Sequence, residues 1–306
     1  TMRETFASLG MTEELSFSFT SETALDKLCV PMDSHLRRAI PIMNPLTDEY
    51  PLVRTTLLTS ILENAARNVA RKNLDLRLFD IAPVFFPKAL PLTELAEEKL
   101  KVAGLLTGRR SPIAWDTDNT VVDFYDAKGV LERFLTVIGV QKYTVERGEH
   151  FAMHPGKTAF FKKGRDVIAV LGEIHPTVAA NFGIGQNVYV FEMDAETLLR
   201  YRRKRSTIKP LPKYPASARD LAILVDADLT TAEIERVIAK KGGKYFRHAT
   251  LFDIYAGKQV GEGKKSMAFH LHFQSDDKTL TDEEVDAAFA AILQAVEEQL
   301  HAQLRG

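Results

Sequence analysis

The sequence predicts an α+β protein of two domains: an antiparallel sheet flanked by helices, then a smaller βαββαβ unit. Three observations predict it. Strand-like apolar runs lie close together in pairs, which favours antiparallel pairing. A basic, proline-bearing stretch interrupts the chain about two-thirds of the way along. Beyond it the periods run strand, helix, strand, strand, helix, with room for a short last strand. The length of 306 residues also favours two domains over one.

Residues 2–10 have helical spacing, with Met2, Phe6 and Leu9 on one face and Gly10 as a stop. Leu15-Ser16-Phe17-Ser18-Phe19 alternates like a strand, and a loop leads through Asn44 to Pro51. Leu57–Lys72 is expected to be a helix with Leu57, Leu58, Ile61, Leu62 and Ala65 inward. A strand from Leu76 should end at Pro83 and resume at Val84–Phe86, with another at Glu98–Leu106. Phe124–Ile138 is helical by period, with Tyr125, Val130, Leu131 and Phe134 inward. Thr158–Gly172 reads as a hairpin turning at Lys162–Asp166, and Val188–Met193 as a further strand.

From Arg200 to Lys213 there are seven basic residues and no acidic one, with Pro210 and Pro212 in the same stretch. This predicts domains at 1–205 and 213–306 joined by a linker at 206–212. In the second domain, strands are expected at Leu221–Val225, Ala249–Tyr255 and Ser266–Gln274, and helices at Thr231–Lys241 and Thr281–Leu300. Thr281 and Glu284 form a capping-box pair, and Val285, Phe289, Ile292, Val296 and Leu300 make an inner face. A short strand near Leu304 completes a ferredoxin-like order.

In such a unit both helices cover one sheet face and leave the other open. Alternation places Thr250, Phe252, Ile254, Met267, Phe269, Leu271 and Phe273 under the helices. Asp253, Tyr255, Ser266, Ala268, His270, His272 and Gln274 then point to the open face, a polar surface with rings that can stack and hydrogen-bond unpaired bases. A solvated face with scattered rings is the blander alternative.

The bulk numbers narrow the classes. Apolar residues make up 45% and charged residues 26%, as in ordinary globular proteins. Forty basic against 41 acidic residues give a formal charge of −1, which excludes a generally basic nucleic-acid coat. One cysteine, Cys29, excludes an internal disulfide and a cysteine-based zinc site; it is expected to be a buried, inert thiol in a cytoplasmic protein. No apolar run is long enough to span a bilayer, and no signal peptide is present. The start, Thr1-Met2-Arg3, suggests an excised fragment.

At this point the strings resemble a known family. Lys213-Tyr214-Pro215, Arg219–Ile223, Leu251–Gly257, Gly263–Ala268 and Thr279–Val285 are similar, in order and spacing, to the ferredoxin-fold anticodon-binding domain of bacterial phenylalanyl-tRNA synthetase β subunits. Asn44-Pro45-Leu46, Val53–Leu58, Leu78–Ile81, His154–Lys157 and Leu171–Pro176 resemble the same subunit's catalytic-like module, a class II synthetase-like antiparallel sheet with helices. The resemblance covers nearly the whole chain. The family's earlier domains, which carry editing, other RNA contacts and a shared magnesium site, have no counterpart here, so neither editing nor that metal is expected.

Catalytic class II relatives clamp ATP with arginines, since a guanidinium meets phosphate through two parallel hydrogen bonds. Losing such a preorganised charge costs roughly 3 kcal/mol of transition-state stabilisation. Where the resemblance leads one to expect arginine after the second motif, the chain has Ala82-Pro83-Val84-Phe85-Phe86. Where it leads one to expect a glycine-rich third motif ending in Glu-Arg, the chain has Phe191–Leu198, with Glu192 and Asp194 for glycines and Thr197 for arginine. Carboxylates there would repel a phosphate, so no catalytic residue is assigned. His150, His154 and His175 fit no helix-borne metal pair, and no metal site is assigned.

The resemblance implies a non-catalytic part of phenylalanine–tRNA ligase. Its first module is expected to pack on the catalytic α subunit within an (αβ)₂ heterotetramer, through the Leu57–Asn68 helix and the Asn44–Tyr50 loop. Its last domain is expected to meet tRNA(Phe) near the anticodon. Tyr214 and Tyr255 are the stacking candidates; Asp253, Ser266, His270 and His272 the base-edge candidates; Arg219, Lys264 and Lys265 the phosphate candidates. Arg219 and Asp220 could equally form a structural pair. No cofactor is expected in this chain, ATP and Mg²⁺ being used by the parent complex. A purely structural scaffold and an active adenylating domain are the alternatives.

Overall fold

The computed structural model describes residues 2–203, 211–257 and 260–304. The chain divides into two compact units, Thr1–Ser206 and Thr207–Gly306. The linker expected at 206–212 lies outside the described residues as far as Pro210. The basic stretch does not begin as linker: Arg200 belongs to the last helix of the first unit.

The first unit opens with α1 (Met2–Ser8), β1 (Thr12–Glu13), β2 (Phe19–Thr20), α2 (Glu22–Lys27), β3 (Ile40–Pro41), β4 (Leu52–Val53) and α3 (Leu58–Ala70). It continues with β5 (Leu76–Phe86), β6 (Glu97–Thr107), α4 (Phe124–Ile138), β7 (Thr144–Arg147), β8 (Met153–Lys163), β9 (Asp166–Ile174), α5 (Pro176–Asn181), β10 (Val188–Asp194) and α6 (Ala195–Tyr201). The main sheet runs β1-β5-β6-β10-β9-β8-β7, antiparallel except for the β1–β5 pair; β2-β4-β3 form a small second sheet.

Adjacent apolar residues in the central strands serve opposite cores, as in a sheet covered on both faces. Leu78, Leu105 and Val190 pack under α3, which buries Leu58, Ile61, Leu62 and Ala65. Their neighbours Phe79, Leu106 and Phe191 pack under α1 and α4 with Phe6, Leu131 and Phe134. Phe6 lies 4.3 Å from Phe134 and 5.1 Å from Phe79, ring to ring. Gly104 faces Phe191 in register, and a Cβ there would lie 2.1 Å from the ring, so a bare backbone is required.

Several expectations are corrected. Residues 15–18 form no strand; Leu15 and Phe17 are exposed, whereas Ser16 turns inward to Arg54 and Asp80. The alternation is inverted because two buried charges need the hydroxyl. Pro83 does not end a strand: it pairs with Leu100 inside β5, beyond the reach of the short β1, where its missing N–H costs nothing. Tyr125 points outward from the first turn of α4, and Ala127, Leu131, Phe134 and Leu135 are the buried positions. Cys29 is exposed, carried outward at φ 58° in the turn after α2.

The second unit comprises β11 (Ser217–Asp226), α7 (Thr231–Lys241), β12 (Phe246–Tyr255), β13 (Lys264–Phe273), α8 (Asp282–Leu300) and β14 (Gln303–Leu304). The sheet order is β12-β13-β11-β14, the expected ferredoxin-like arrangement. Reciprocal capping boxes start both helices, Thr230 with Glu233 and Thr281 with Glu284. Leu221, Ile223, Val225, Met267, Phe269, Leu271 and Phe273 meet Ile234, Ile238, Val285, Ile292 and Val296 in one core. That core uses one face of the sheet.

On β12 the expected alternation fails. Register shifts fall between Phe246 and His248 and between Leu251 and Asp253. Ala249 and Leu251, rather than Thr250 and Phe252, pack toward the helices. Thr250 stands opposite His270, and Phe252 is the extra residue of a bulge, half exposed. Ile254 does stand opposite the core residue Met267, but on an edge strand it stays half exposed.

Candidate functional site

Two places carry the chemistry that the sequence singles out. The first is the β10–α6 junction. Glu192 Oε1 accepts from Thr56 Oγ1 at 2.8 Å and from the Leu57 amide at 2.9 Å, which puts a carboxylate at the N-terminus of α3. Lys101 Nζ lies 3.8 Å from its other oxygen. Asp194 caps α6 through the Thr197 amide at 2.7 Å. Burial alone would raise the Asp194 pKa, but the Thr197 hydrogen bonds and the Lys101 and Lys99 charges hold it below the usual range. Both acids are therefore engaged as helix caps, and Leu57 and its helix cover that part of the sheet.

A buried polar cluster lies at β5 of the same sheet. Arg54 is 1% exposed and donates to the carbonyls of Pro83 (2.9 Å) and Phe17 (3.2 Å) and to Ser16 Oγ (2.6 Å). Asp80 lies 3.7 Å from it and accepts from Ser16. Burial pushes the Asp80 carboxyl up and the Arg54 guanidinium down, so desolvation outweighs the pairing. Glu14, hydrogen-bonded by Asn64 and near Asp80, is pushed up to about 7, chiefly by burial. Sequence reading missed this cluster; a lone arginine in Val53-Arg54-Thr55-Thr56 carries no sign of burial.

His154 and His175 place their rings 6.3 Å apart, but His154 Nδ1 accepts from the Gly156 amide and His175 Nδ1 from the Thr177 amide, as turn and cap. Among the described residues no group of three or more His, Cys, Asp or Glu is placed to hold a metal ion.

The second place is the open face of the four-stranded sheet. Tyr255 stands opposite Ser266, and Asp253 opposite Ala268, so these three polar residues share one end. Tyr255 folds over Gly257, where a Cβ would come within 2.6 Å of its hydroxyl. Ser266 is 8% exposed. Further along β13, His270 stacks on Phe252 at 4.0 Å and His272 on His248 at 4.3 Å. His270 Nδ1 lies 2.5 Å from Asp220 Oδ1. Tyr214, half-buried, is fixed at the far end, its carbonyl accepting from Gln274 at 2.7 Å. Eight residues of strand separate the Ser266 and Gln274 positions, about 26 Å, so the two tyrosines are not brought together.

Two of the cations lie elsewhere. Arg219 pairs with the core-facing Leu271 and reaches Asp286 (2.9 Å) and Asp282 (3.0 Å) of α8, on the helix side. These acids, not Asp220, are its structural partners, and they raise its pKa. Lys265 stands opposite the core residue Val225 and donates to the Ala227 carbonyl. Lys264 is on the open side, 2.6 Å from Asp226. Sequence reading missed Phe252, His248 and Asp220 on this face; the adjacent apolar pair Leu251-Phe252 was the one sign that the alternation breaks.

Comparison with known proteins agrees with this division. Residues 1–195 match the family model described as the phenylalanyl-tRNA synthetase beta chain CLM domain, and residues 212–305 the ferredoxin-fold anticodon binding domain. A phenylalanine–tRNA ligase beta subunit of Syntrophotalea carbinolica is 39% identical over 99% of this chain and 38% of its own length. Those of Geobacter sulfurreducens (38% identical, 99% and 38%) and Clostridium acetobutylicum (37% identical, 97% and 36%) are similar. The chain thus spans a little over a third of the length of these relatives.

Proposed function

Because the chain belongs to the phenylalanyl-tRNA synthetase β-chain family, we propose that it acts as a non-catalytic part of a cytoplasmic phenylalanine–tRNA ligase. Its first unit supports the catalytic α subunit in an (αβ)₂ heterotetramer, and its second binds tRNA(Phe) at the anticodon. ATP and Mg²⁺ serve the α subunit; this chain needs neither. The observation that carries the reading is the uncovered sheet face, where Tyr255, Asp253, Ser266 and the ring pairs stand together in a domain of the anticodon-binding family.

For the first unit, support comes from Glu192 and Asp194, held as caps where a nucleotide site would need glycine and arginine. Support for docking comes from apolar residues left bare: Met43 and Leu46 in and beside the Asn44–Tyr50 loop, and Leu15 and Phe17, which line one hollow with Tyr50. The α3 helix is a weaker interface piece than expected, since its apolar stripe is buried in its own unit.

The test has two arms. ATP–pyrophosphate exchange with phenylalanine, measured on this chain alone, is expected at background; clear exchange overturns the non-catalytic reading. Synthetase reconstituted with the chain should prefer tRNA(Phe) over the same tRNA with an altered anticodon, and equal affinity would remove the anticodon role.

A further inference from the structure

A cavity of about 450 Å³ in the first unit takes no part in either proposed role. It is lined by the first turn of α4, the edge strand β7, the start of β8 and Tyr189 of β10. Its volume is that of a small-molecule site. The sheet is broken beside it. Between Met153, opposite Ile174, and Thr158, opposite Gly172, β8 spends four residues where β9 spends one, Glu173. Lys157 leaves the ladder there, and its Nζ lies 2.6 Å from the Glu173 carboxylate.

Register sorts the side chains. Val145 stands opposite Phe161, and Arg147 opposite Ala159, on the face that α4 covers. Tyr189, opposite Glu173, is on that face too. Glu146 stands opposite Phe160 on the other face and lends the cavity only backbone. Asp123 is therefore the acidic side chain of the wall. It holds the Tyr125 and Asp126 amides and meets Arg110, yet its side chain stays 47% exposed. Lys157 has spent one of its three donors on Glu173, and a guanidinium such as Arg147 has five. The Tyr189 hydroxyl is neutral: burial first, then the Glu173 hydrogen bond and charge, push its pKa up to about 12. Phe124 and Tyr125 meet edge to face at 5.7 Å, and Tyr125 is 73% exposed.

We propose that this cavity binds a free aromatic α-amino acid. Lys157 and Arg147 take its carboxylate, Asp123 its ammonium, and Tyr125 and Val145 its ring. A plain anion would meet Asp123, and a plain cation would meet Lys157 and Arg147; a zwitterion meets a partner for each charge. The rings add stacking or edge contacts. The inference does not rest on the ligase reading.

Ligand-detected NMR on the complete chain at pH about 7, where the amino acid is a zwitterion, uses L-phenylalanine as the probe. The comparison probes are 3-phenylpropionate, 2-phenylethylamine and L-alanine, which lack the ammonium, the carboxylate and the ring in turn. L-phenylalanine is expected to bind with a dissociation constant of about 1 mM or tighter, and each truncated form at least about tenfold more weakly. Tyr125→Ala and Arg147→Gln should each weaken L-phenylalanine by about tenfold. Glu146→Gln, on the other face, should leave it unchanged. Tyr125 and Arg147 are exposed, so both variants should melt with the parent chain when no ligand is present. Added L-phenylalanine should raise the melting point of the parent and not of the variants. No saturable binding, or equal binding of all four probes, overturns the site. Binding that survives both variants puts the amino acid elsewhere and overturns it too; if ATP–pyrophosphate exchange accompanies such binding, the non-catalytic reading fails as well. If the variants keep amino-acid affinity but lose co-purification with the α subunit, the cavity belongs to a protein interface instead.

Discussion

The two sheets treat their faces differently. The seven-stranded sheet of the first unit is covered on both sides, by α3 on one and by α1 and α4 on the other. The four-stranded sheet of the second unit is covered on one side, and its other side carries rings, acids and a hydroxyl. The polar residues differ accordingly. In the first unit Glu192, Asp194, Arg54 and Asp80 find their partners inside the fold. In the second, Asp253, His272 and Tyr255 sit on the face that the described helices of that unit leave open. A polar group used internally holds the fold together; one left on an open sheet is available to a ligand.

The largest expected effect breaks the internal side of that contrast. Arg54→Leu removes the guanidinium that meets Ser16, Phe17, Pro83 and Asp80, and strands a buried carboxylate. It should destabilise the first unit by about 3–5 kcal/mol, read by urea unfolding, while signals from the second unit keep their midpoint. A loss under about 1 kcal/mol would mean that Asp80 is satisfied without Arg54.

Next is a pH dependence confined to the same cluster. Glu14 is pushed from an ordinary 4.5 to about 7, first by burial and then by Asp80, against the Asn64 hydrogen bond and the Arg67 and Arg54 charges. The folded state therefore keeps a proton that the unfolded chain sheds between pH 4.5 and about 7. By linkage, stability is highest below that window, falls as pH rises through it, and has lost about 3 kcal/mol above it. Glu14→Gln should flatten the slope and stabilise the chain at pH about 8. An unchanged slope in that variant would move the titration to another group.

What was legible in the sequence follows the same division. The boundaries of α4, α7 and α8 stand within a residue or so of expectation, because caps and apolar periods are local signals. The strand expected at 15–19 failed because Ser16 answers to Arg54 and Asp80, which are distant in sequence. Phe252 was misplaced because a bulge adds one residue to one strand, and a period-2 reading carries that error to every position beyond it until another shift cancels it. The open-face set Asp253, Tyr255, Ser266, His270 and His272 was legible through the regular strand β13 and the end of β12. Arg219 was not, since its role depends on two acids of α8 more than sixty residues away.

A third prediction sharpens the account of the β10–α6 junction. Glu192→Ala removes two charge-assisted hydrogen bonds at the start of α3, from Thr56 and the Leu57 amide, and should cost about 2 kcal/mol. Clearing the carboxylate should not admit a nucleotide, because Leu57 and α3 still cover the sheet. Calorimetry is expected to detect no ATP binding by the parent chain, by Glu192→Ala or by the double variant with Asp194→Gly. Binding in either would mean that the acids alone had closed the site.

The smallest expected effect falls on the residue where the two treatments compete. Arg219 is in the second unit, yet it is used internally, bridging β11 to Asp282 and Asp286 on the helix side. If that is its whole role, Arg219→Gln removes a solvent-exposed network and costs less than about 1 kcal/mol. The salt dependence of tRNA binding should then keep its slope, because a cation that neutralises no phosphate releases no counterion. Lys264→Gln is the matching control, from the open side of the same sheet. A shallower slope in Arg219→Gln but not in Lys264→Gln would put RNA around the helix side as well, and the one-faced picture of the second unit would fail.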